Sequence, residues 1–297
     1  MSSGAAILVT ILGVVLILGA LRDVFDTLFH PGGKATGSRA VMRAVWFMYH
    51  RLAQRWPRSF ALAGPTALLL IIAGWAAALI LGWALIFWPH MTDGAFAFQP
   101  GVESGSFIDS VYISLATLAT VGYGDVTPHA DWLRVVTPLE ALLGFGLLTA
   151  SISWLATIYP VLLRRRSLAY EIYLLRESQR ESGVDLDDLE PASAAAVYAE
   201  LAGRLVAVER DLVAFPIAYY FAEPDDRFAL PVAMPYLFDL ACTGAQPGVD
   251  PRARLRAVML RDAIRDFAAT AAKRFHGYPG ASTRDSLAAY ARDHLRG

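Results

Sequence analysis

Charge and cysteine are both scarce in this chain of 297 residues. Only 18% of its residues are charged and its formal net charge is −1, so the composition gives no electrostatic reason to expect a nucleic-acid partner. The single cysteine, Cys242, excludes an intrachain disulfide and a cysteine-rich zinc site. No nucleophile or pair of acids stands out, so we do not expect an enzyme. Hydrophobic residues make up 56% of the chain, which excludes a disordered protein.

The apolar residues are concentrated before residue 164, in three segments that approach the roughly 20 residues needed to cross a bilayer. These segments are Ala5–Leu21, Gly64–Trp88 and Val135–Leu163. The first could be a signal peptide, but it has no basic start and no small-residue cleavage site, so we expect a retained anchor. The sequence predicts an amino-terminal membrane segment (1–22), a basic loop (23–63), a third region (64–163) and a soluble tail (164–297).

The cations of the chain predict its orientation. Seven Lys and Arg residues lie between Arg22 and Arg58, whereas residues 89–132 contain none and carry five carboxylates. Three arginines, Arg164, Arg165 and Arg166, follow the third apolar segment. By the positive-inside rule, the basic loop and the tail are cytoplasmic, residues 89–132 lie outside, and the amino terminus is outside if the first segment spans. We expect a multi-pass protein of the plasma membrane, with membrane lipid as its surroundings.

A short helix and an unusual motif lie in the external region. Ser106 and Asp109 have the spacing of a capping box, which predicts a helix over Phe107–Ala119. The motif T-x-x-T-V-G-Y-G-D follows, from Thr117 to Asp125. Glycines at every second position, Gly122 and Gly124, allow a backbone that alternates between ordinary and positive φ and aligns its carbonyl oxygens.

This motif resembles the selectivity filter of the potassium channel family, whose TVGYG loop is the known site of ion coordination. The resemblance covers about residues 64–163 and implies an all-α membrane protein with an outer helix, a pore helix, a filter and an inner helix around a four-fold axis. It implies K⁺ as the permeant ion, no organic cofactor and a homotetramer. The residues it assigns to ion binding are Thr120, Val121, Gly122, Tyr123 and Gly124, with K⁺ at the first four, and those it assigns to filter support are Thr117, Asp125 and Glu140.

Four features of the pore region leave alternatives open. Gly144 and Gly146 match the family's gating hinge, although close helix packing explains such glycines equally well. Glu140, an acid inside an apolar span, either supports the filter from behind or touches the ion.

The start of the inner helix is also open. Thr137 and Pro138 have the pattern of a helix start, whereas the resemblance begins the inner helix near Trp132. Ala116 stands where some potassium channels carry a carboxylate partner of the filter aspartate.

The basic segment over residues 39–58 is not a voltage sensor. Its arginines share one face of a helix with His50, and Val41, Met42, Val45 and Trp46 lie on the other face. This pattern predicts an amphipathic helix in the membrane interface, similar to the slide helix of two-span potassium channels. The alternative is a surface helix that docks on the tail.

The tail has a helical pattern throughout, with an extension of the inner helix over 165–181 and further helices over 193–215, 231–245, 250–276 and from Ser282. Asp185, Asp187, Asp188 and Glu190 form an acidic run, either a solvated linker or a divalent cation site. His276 and His294 are expected at the surface. The tail could bind an unidentified ligand or protein.

The residues favour a K⁺-selective channel that conducts passively. Two alternatives stay open: a non-selective cation channel of the same fold, and a membrane-anchored signalling or scaffold protein with a vestigial pore.

Overall fold

The computed structural model describes residues 2–29, 35–99, 105–276 and 282–294. These residues form nine α-helices and one small antiparallel sheet. The helices are α1 (Ser3–Leu28), α2 (Thr36–Ala53), α3 (Ala63–Phe87), α4 (Phe107–Leu118), α5 (Asp131–Ser182), α6 (Pro191–Ala214), α7 (Leu230–Gly244), α8 (Pro251–Ala271) and α9 (Thr283–His294). The strands are β1 (Phe96–Phe98) and β2 (Val126–Pro128).

Three of these helices, α1, α3 and α5, are long and apolar enough to cross a membrane. Of the two alternatives for the start of the inner helix, Thr137 is wrong and the start near Trp132 is confirmed, because α5 begins at Asp131 and continues for 52 residues. Pro138 is the eighth residue of α5, and its missing N–H removes the helical hydrogen bond to the carbonyl of Arg134. The same helix includes residues 165–181, so the predicted extension of the inner helix is confirmed.

The chain forms two compact units, and the first contains residues 1–41 and 68–156. Within it, α1 crosses α3 where two glycines meet. A Cβ atom on Gly13 would lie 2.5 Å from the carbonyl oxygen of Gly82, and one on Gly82 would lie 2.6 Å from Ile17. The absence of side chains at both positions therefore lets the two helices approach closely. Around this crossing, Leu79 and Phe87 are buried in the core of the unit.

The helix predicted over residues 39–58 starts earlier and ends at Ala53. Met42, Val45 and Trp46 on its apolar face are buried within the second unit, which contains residues 42–67 and 157–297. The indole N–H of Trp46 donates to Asp293 at 3.2 Å, so this face docks on the tail, as the alternative expected. Placement in the membrane interface stays a prediction for the exposed Phe47, and the side chain of Arg58 lies outside the described residues.

The predicted tail helices are present, shifted by a few residues at their ends. Tyr198 and Leu205 of α6 are buried in the same unit as Leu260 and Ile264 of α8. The expectation that His294 lies at the surface is wrong. Its ring packs on Tyr219, with centroids 4.5 Å apart, and its pKa is lowered, chiefly by burial. The side chain of His276 and the predicted cap Gly277 lie outside the described residues.

Three consecutive arginines follow the apolar part of α5 and bind residues of the tail. Arg164 forms a bidentate ion pair with Asp211 of α6, at 2.7 and 2.9 Å. The guanidinium of Arg165 is buried and donates to the carbonyls of Ala218 and Phe221, 3.7 Å from the carboxylate of Glu223. Burial raises the pKa of Glu223, and the two guanidiniums of Arg165 and Arg166 oppose that rise. The loop after α6 is therefore fixed to α5 by buried, charged hydrogen bonds.

We expect Arg165→Gln to lower the stability of the chain by about 3–5 kcal/mol, because it leaves two carbonyls without their donor and the buried Glu223 carboxylate with only the more exposed Arg166. Arg166→Gln is the matched control. Arg166 is 45% exposed and 3.5 Å from the same carboxylate, so its loss should cost no more than about 1 kcal/mol. Thermal unfolding of the purified chain in detergent measures both, and equal losses would contradict the structural role of Arg165.

Candidate functional site

The site is built on α4, whose start and end are both fixed locally. The capping box is confirmed: Asp109 N–H donates to Ser106 Oγ at 3.2 Å, and Ser106 N–H donates to Asp109 Oδ2 at 2.9 Å. The helix ends at Leu118, and its carboxyl end points its partial negative charge into the segment that follows. The predicted filter therefore starts at the negative end of a helix dipole.

The backbone of the predicted filter has positive φ at every second residue. The values are 57° at Thr120, 57° at Gly122 and 80° at Gly124. The two glycines were expected to take this conformation, but Thr120 was not, and a residue with a Cβ atom adopts it only at a cost of about 1–2 kcal/mol. The N–H of Thr120 donates to the carbonyl of Thr117 at 2.9 Å, which helps to hold the strained residue in place.

The carbonyl oxygens of the predicted filter are left without protein donors. Within the described parts of the chain, the carbonyls of Thr120, Val121, Gly122 and Tyr123 accept no hydrogen bond. In this segment, the carbonyl of Gly124 alone accepts a hydrogen bond from the described residues, and its donor is the side-chain amide of Gln99 at 3.3 Å. These four residues are exposed in the single chain, so their carbonyls face solvent or a neighbouring molecule and are not buried without a partner. Four successive unpaired oxygens on an alternating backbone are therefore available to coordinate a cation or water.

A two-stranded sheet, which the sequence analysis did not predict, fixes the outer end of this segment. Strand β1 pairs with β2 in antiparallel register, Phe98 opposite Val126. The N–H of Gln99 extends the pairing by donating to the carbonyl of Asp125 at 2.9 Å. Strands of three residues separated by about 30 positions leave no periodic signal in the sequence.

Tyr112 contacts the predicted filter, and sequence reasoning did not single it out. Its hydroxyl donates to Asp125 Oδ2 at 2.7 Å, and its ring stacks on that of Tyr123 with centroids 6.3 Å apart and an interplanar angle of 6°. Tyr112 lies one helical turn before Ala116, the position at which some potassium channels carry a carboxylate partner of the filter aspartate. The signal was a polar aromatic at i−4 on the same helix face.

Glu140 lies behind the pore helix. Its side chain is fully buried, and Glu140 Oε1 accepts a hydrogen bond from Ser114 Oγ of α4 at 2.5 Å. Ser114 Oγ is also 3.0 Å from the carbonyl of Ile80 in α3. The acid thus contacts α4 and not the carbonyls of Thr120–Tyr123, and its support of the filter stays a prediction. Among the described residues, Glu140 Oε2 has no hydrogen-bond partner.

The two glycines of the inner helix have different surroundings. A Cβ atom on Gly144 would lie 1.9 Å from the carbonyl oxygen of Leu118, at the end of α4. A Cβ atom on Gly146 would have no atom of the described residues within 4 Å, its own helix backbone and chain neighbours aside. Close packing therefore explains Gly144, whereas a hinge at Gly146 stays a prediction.

No group of three or more His, Cys, Asp or Glu side chains that could hold a metal ion occurs in the described ranges. This finding covers the acidic run at 185–190, where Asp185 instead begins a short 3-10 helix, Leu186–Asp188. The oxygens offered by the site are backbone carbonyls at Thr120–Tyr123 and the carboxylate of Asp125 at its outer end. Such a row suits a weakly bound, dehydrated monovalent cation.

A family model described as an ion channel matches residues 67–159. The pore region is similar to ion channels. An uncharacterized membrane protein of Bacillus subtilis, YdjJ, is 26% identical over 220 residues, covering 71% of this chain and 62% of that protein. Protein LctB of Geobacillus stearothermophilus is 35% identical over 85 residues, covering 26% of this chain and 61% of LctB.

Two-pore potassium channel 5 of Arabidopsis thaliana is 34% identical over 53 residues, 18% of this chain and 13% of that channel. The chain thus covers less than two thirds of each of these relatives. No solved structure matches it with significance. Together with three apolar helices, these matches support a membrane protein and an ion channel.

We expect Tyr112→Phe to preserve the ring stack on Tyr123 but to remove the hydrogen bond to Asp125, a charge-assisted bond worth about 1.5–3 kcal/mol. The filter should then lose its conducting conformation more readily, seen as a faster decline of rubidium flux during sustained conduction. Tyr170→Phe in the tail is the control, because the Tyr170 hydroxyl makes no hydrogen bond among the described residues. An unchanged time course in Tyr112→Phe would contradict the role of this bond.

Gly144→Ala and Gly146→Ala form a matched pair on one helix. The new methyl group at position 144 must displace the end of α4, so we expect lost or reduced ion flux and a lower melting temperature. At position 146 the methyl group enters open space among the described residues and improves helix propensity by up to ~1 kcal/mol, so stability should be kept. Similar losses in both variants would contradict the packing role of Gly144.

Proposed function

We propose that this chain forms a K⁺-selective channel that conducts passively through a homotetrameric pore. The observation that carries the proposal is the row of unpaired carbonyl oxygens at Thr120, Val121, Gly122 and Tyr123, held on a backbone of alternating φ. An ion that leaves water for this row exchanges its hydration shell for backbone oxygens. The identity of the segment, T-V-G-Y-G-D, and the partial match to a plant potassium channel support K⁺ as that ion.

Rigid support of the segment favours selectivity over general cation conduction. Tyr123 stacks on Tyr112, Asp125 is bound by the same tyrosine, and Gln99 holds the carbonyl of Gly124. These contacts keep the oxygens at a fixed spacing and prevent the segment from adapting to every ion. A vestigial pore would have no reason to keep them, which argues against a pure scaffold role.

Exposed apolar surface supports assembly into a tetramer. One chain supplies one copy of the segment, and irregular backbone at membrane depth requires burial in protein or a water-filled cavity. Val121 is 51% exposed and Tyr123 is 69% exposed in the single chain. The side of α5 that carries Phe145, Leu148 and Ile152 is exposed as well. Four copies around one axis would cover these surfaces and bring four oxygen rows together.

The charge distribution supports an orientation in the plasma membrane with residues 89–132 outside and the tail in the cytoplasm. Asp125 would then add negative potential at the outer mouth and raise the local concentration of cations. The carboxyl ends of four α4 helices would favour a cation below the filter. A ligand or protein that binds the cytoplasmic tail would act on the pore through α5, which is one helix from Asp131 to Ser182.

The purified chain, reconstituted in K⁺-loaded liposomes, should take up tracer rubidium passively, driven by the outward K⁺ gradient, with external K⁺ competing far better than Na⁺. Gly122→Asp should abolish uptake, because an L-residue at φ +57° is strained and its carboxylate would block the row. Gly203→Asp, at an exposed position of α6, is the control. Equal competition by Na⁺ would favour the cation channel, and no flux at any pH or with any Ca²⁺ or nucleotide would favour the scaffold.

A further inference from the structure

A cavity of about 530 Å³ lies between α1, α2 and α3, and the pore does not use it. Its apolar lining consists of small residues with Val41, Ile71 and Trp75, and it includes Gly19 of α1 and Gly74 of α3. Neither glycine has an atom of the described chain within 4 Å of the position that a Cβ would take, its own helix backbone and chain neighbours aside. Both glycines are exposed, so the cavity is open to its surroundings between two helices that are long and apolar enough to cross a membrane.

The floor of the cavity is polar and rigid. Asp23 accepts hydrogen bonds from the N–H groups of Gly37 and Ser38 at 3.0 and 3.1 Å, from Ser38 Oγ at 2.5 Å, and from the indole of Trp75 at 2.9 Å. Four donors satisfy this carboxylate, and it serves as the cap of α2. The sequence analysis assigned no chemistry to Asp23, and here it fixes the floor rather than offering a free ligand group.

Two charged groups on the floor remain for a ligand. Arg22 is 82% exposed, and Asp26 lies one turn later on α1, with Arg22 Nε and Asp26 Oδ2 3.7 Å apart. This loose pair offers one cation and one anion side by side. The Arg22–Asp26 pair comes directly after Leu21, where the apolar stretch of α1 ends. In a bilayer, the end of an apolar stretch lies at the level of the lipid headgroups.

We propose that this cavity binds a phospholipid with a primary-amine, zwitterionic headgroup. The phosphate would pair with Arg22, the ammonium group would donate to Asp26, and an acyl chain would lie along the groove between Gly19 and Gly74. An anionic lipid fits less well because Asp23 and Asp26 outnumber the single cation of the lining. The inner leaflet as the source rests on the proposed orientation, whereas binding itself requires only that the chain lies in a membrane.

Filling the groove gives the sharpest test. In Gly74→Leu the new side chain occupies the cavity, removes a glycine from a helix and starts from open space among the described residues, so folding should be kept or improved. Gly19→Leu fills the same space from α1 and serves as the second variant. Gly203→Leu, an equally open glycine in α6, is the matched control.

Native mass spectrometry of the delipidated chain, titrated with phosphatidylethanolamine, phosphatidylcholine and phosphatidylglycerol, measures binding directly. We expect saturable binding of phosphatidylethanolamine at one molecule per chain, abolished in Gly74→Leu and Gly19→Leu and kept in Gly203→Leu. Asp26→Asn should weaken phosphatidylethanolamine about tenfold, the loss of one charge-assisted hydrogen bond, and leave phosphatidylcholine unchanged.

Equal binding to the filled variants, a preference for phosphatidylglycerol, or an altered subunit stoichiometry in Gly74→Leu would each overturn the site. The last result would mean that a second copy of the chain occupies the groove. Rubidium flux in the same variants separates this proposal from the proposed function. A conducting wild type that binds no lipid overturns the site alone, and a lipid-binding chain without flux overturns the channel alone.

Discussion

Backbone oxygens without protein donors are the constraint on which the rest of the pore unit depends. The carbonyls of Thr120–Tyr123 receive no donor from the described chain and are exposed in the single copy, so water, a cation or another copy of the chain must satisfy them. The oxygens also repel one another, so the backbone stays in this conformation only if the surroundings hold it. The contacts around the segment that could hold it include the turn at Thr117 and the hydrogen bonds of Gln99 at the end of β1.

The support of the segment comes from three directions. On the outer side, Tyr112 binds Asp125 and stacks on Tyr123. Behind the pore helix, Ser114 joins the buried Glu140 of α5 to α3. At the inner end, Gly144 lets α5 approach the last carbonyl of α4. A change in any of these side chains therefore reaches the oxygens through backbone position and not through direct contact.

Much of this arrangement could be predicted from the sequence. Apolar length identified the three long helices, the capping box located α4, and the spacing of Gly122 and Gly124 predicted the alternating backbone. Each of these signals lies within one contiguous stretch of the chain. Asp23, Tyr112 and the pairing of β1 with β2 were missed because their partners lie between 13 and 52 positions away, and no periodicity records such contacts.

The glycines and the basic helix show a different limit of sequence reasoning. A glycine in an apolar helix is compatible with a hinge and with close packing, and only the carbonyl of Leu118 near Gly144 distinguishes them. The apolar face of α2 is compatible with lipid and with protein, and the contact of Trp46 with Asp293 decides which covers it. In both cases the sequence identifies the helix surface, but the residues that pack on that surface are known only from the tertiary structure.

The central claim is that four copies of Thr120–Tyr123 replace the hydration shell of a monovalent cation. Anomalous scattering from crystals of the full chain grown in rubidium tests it most directly. The account predicts rubidium peaks along a four-fold axis, at the level of these four carbonyls. A dimeric or monomeric particle, or a four-fold axis without rubidium at that level, would contradict it.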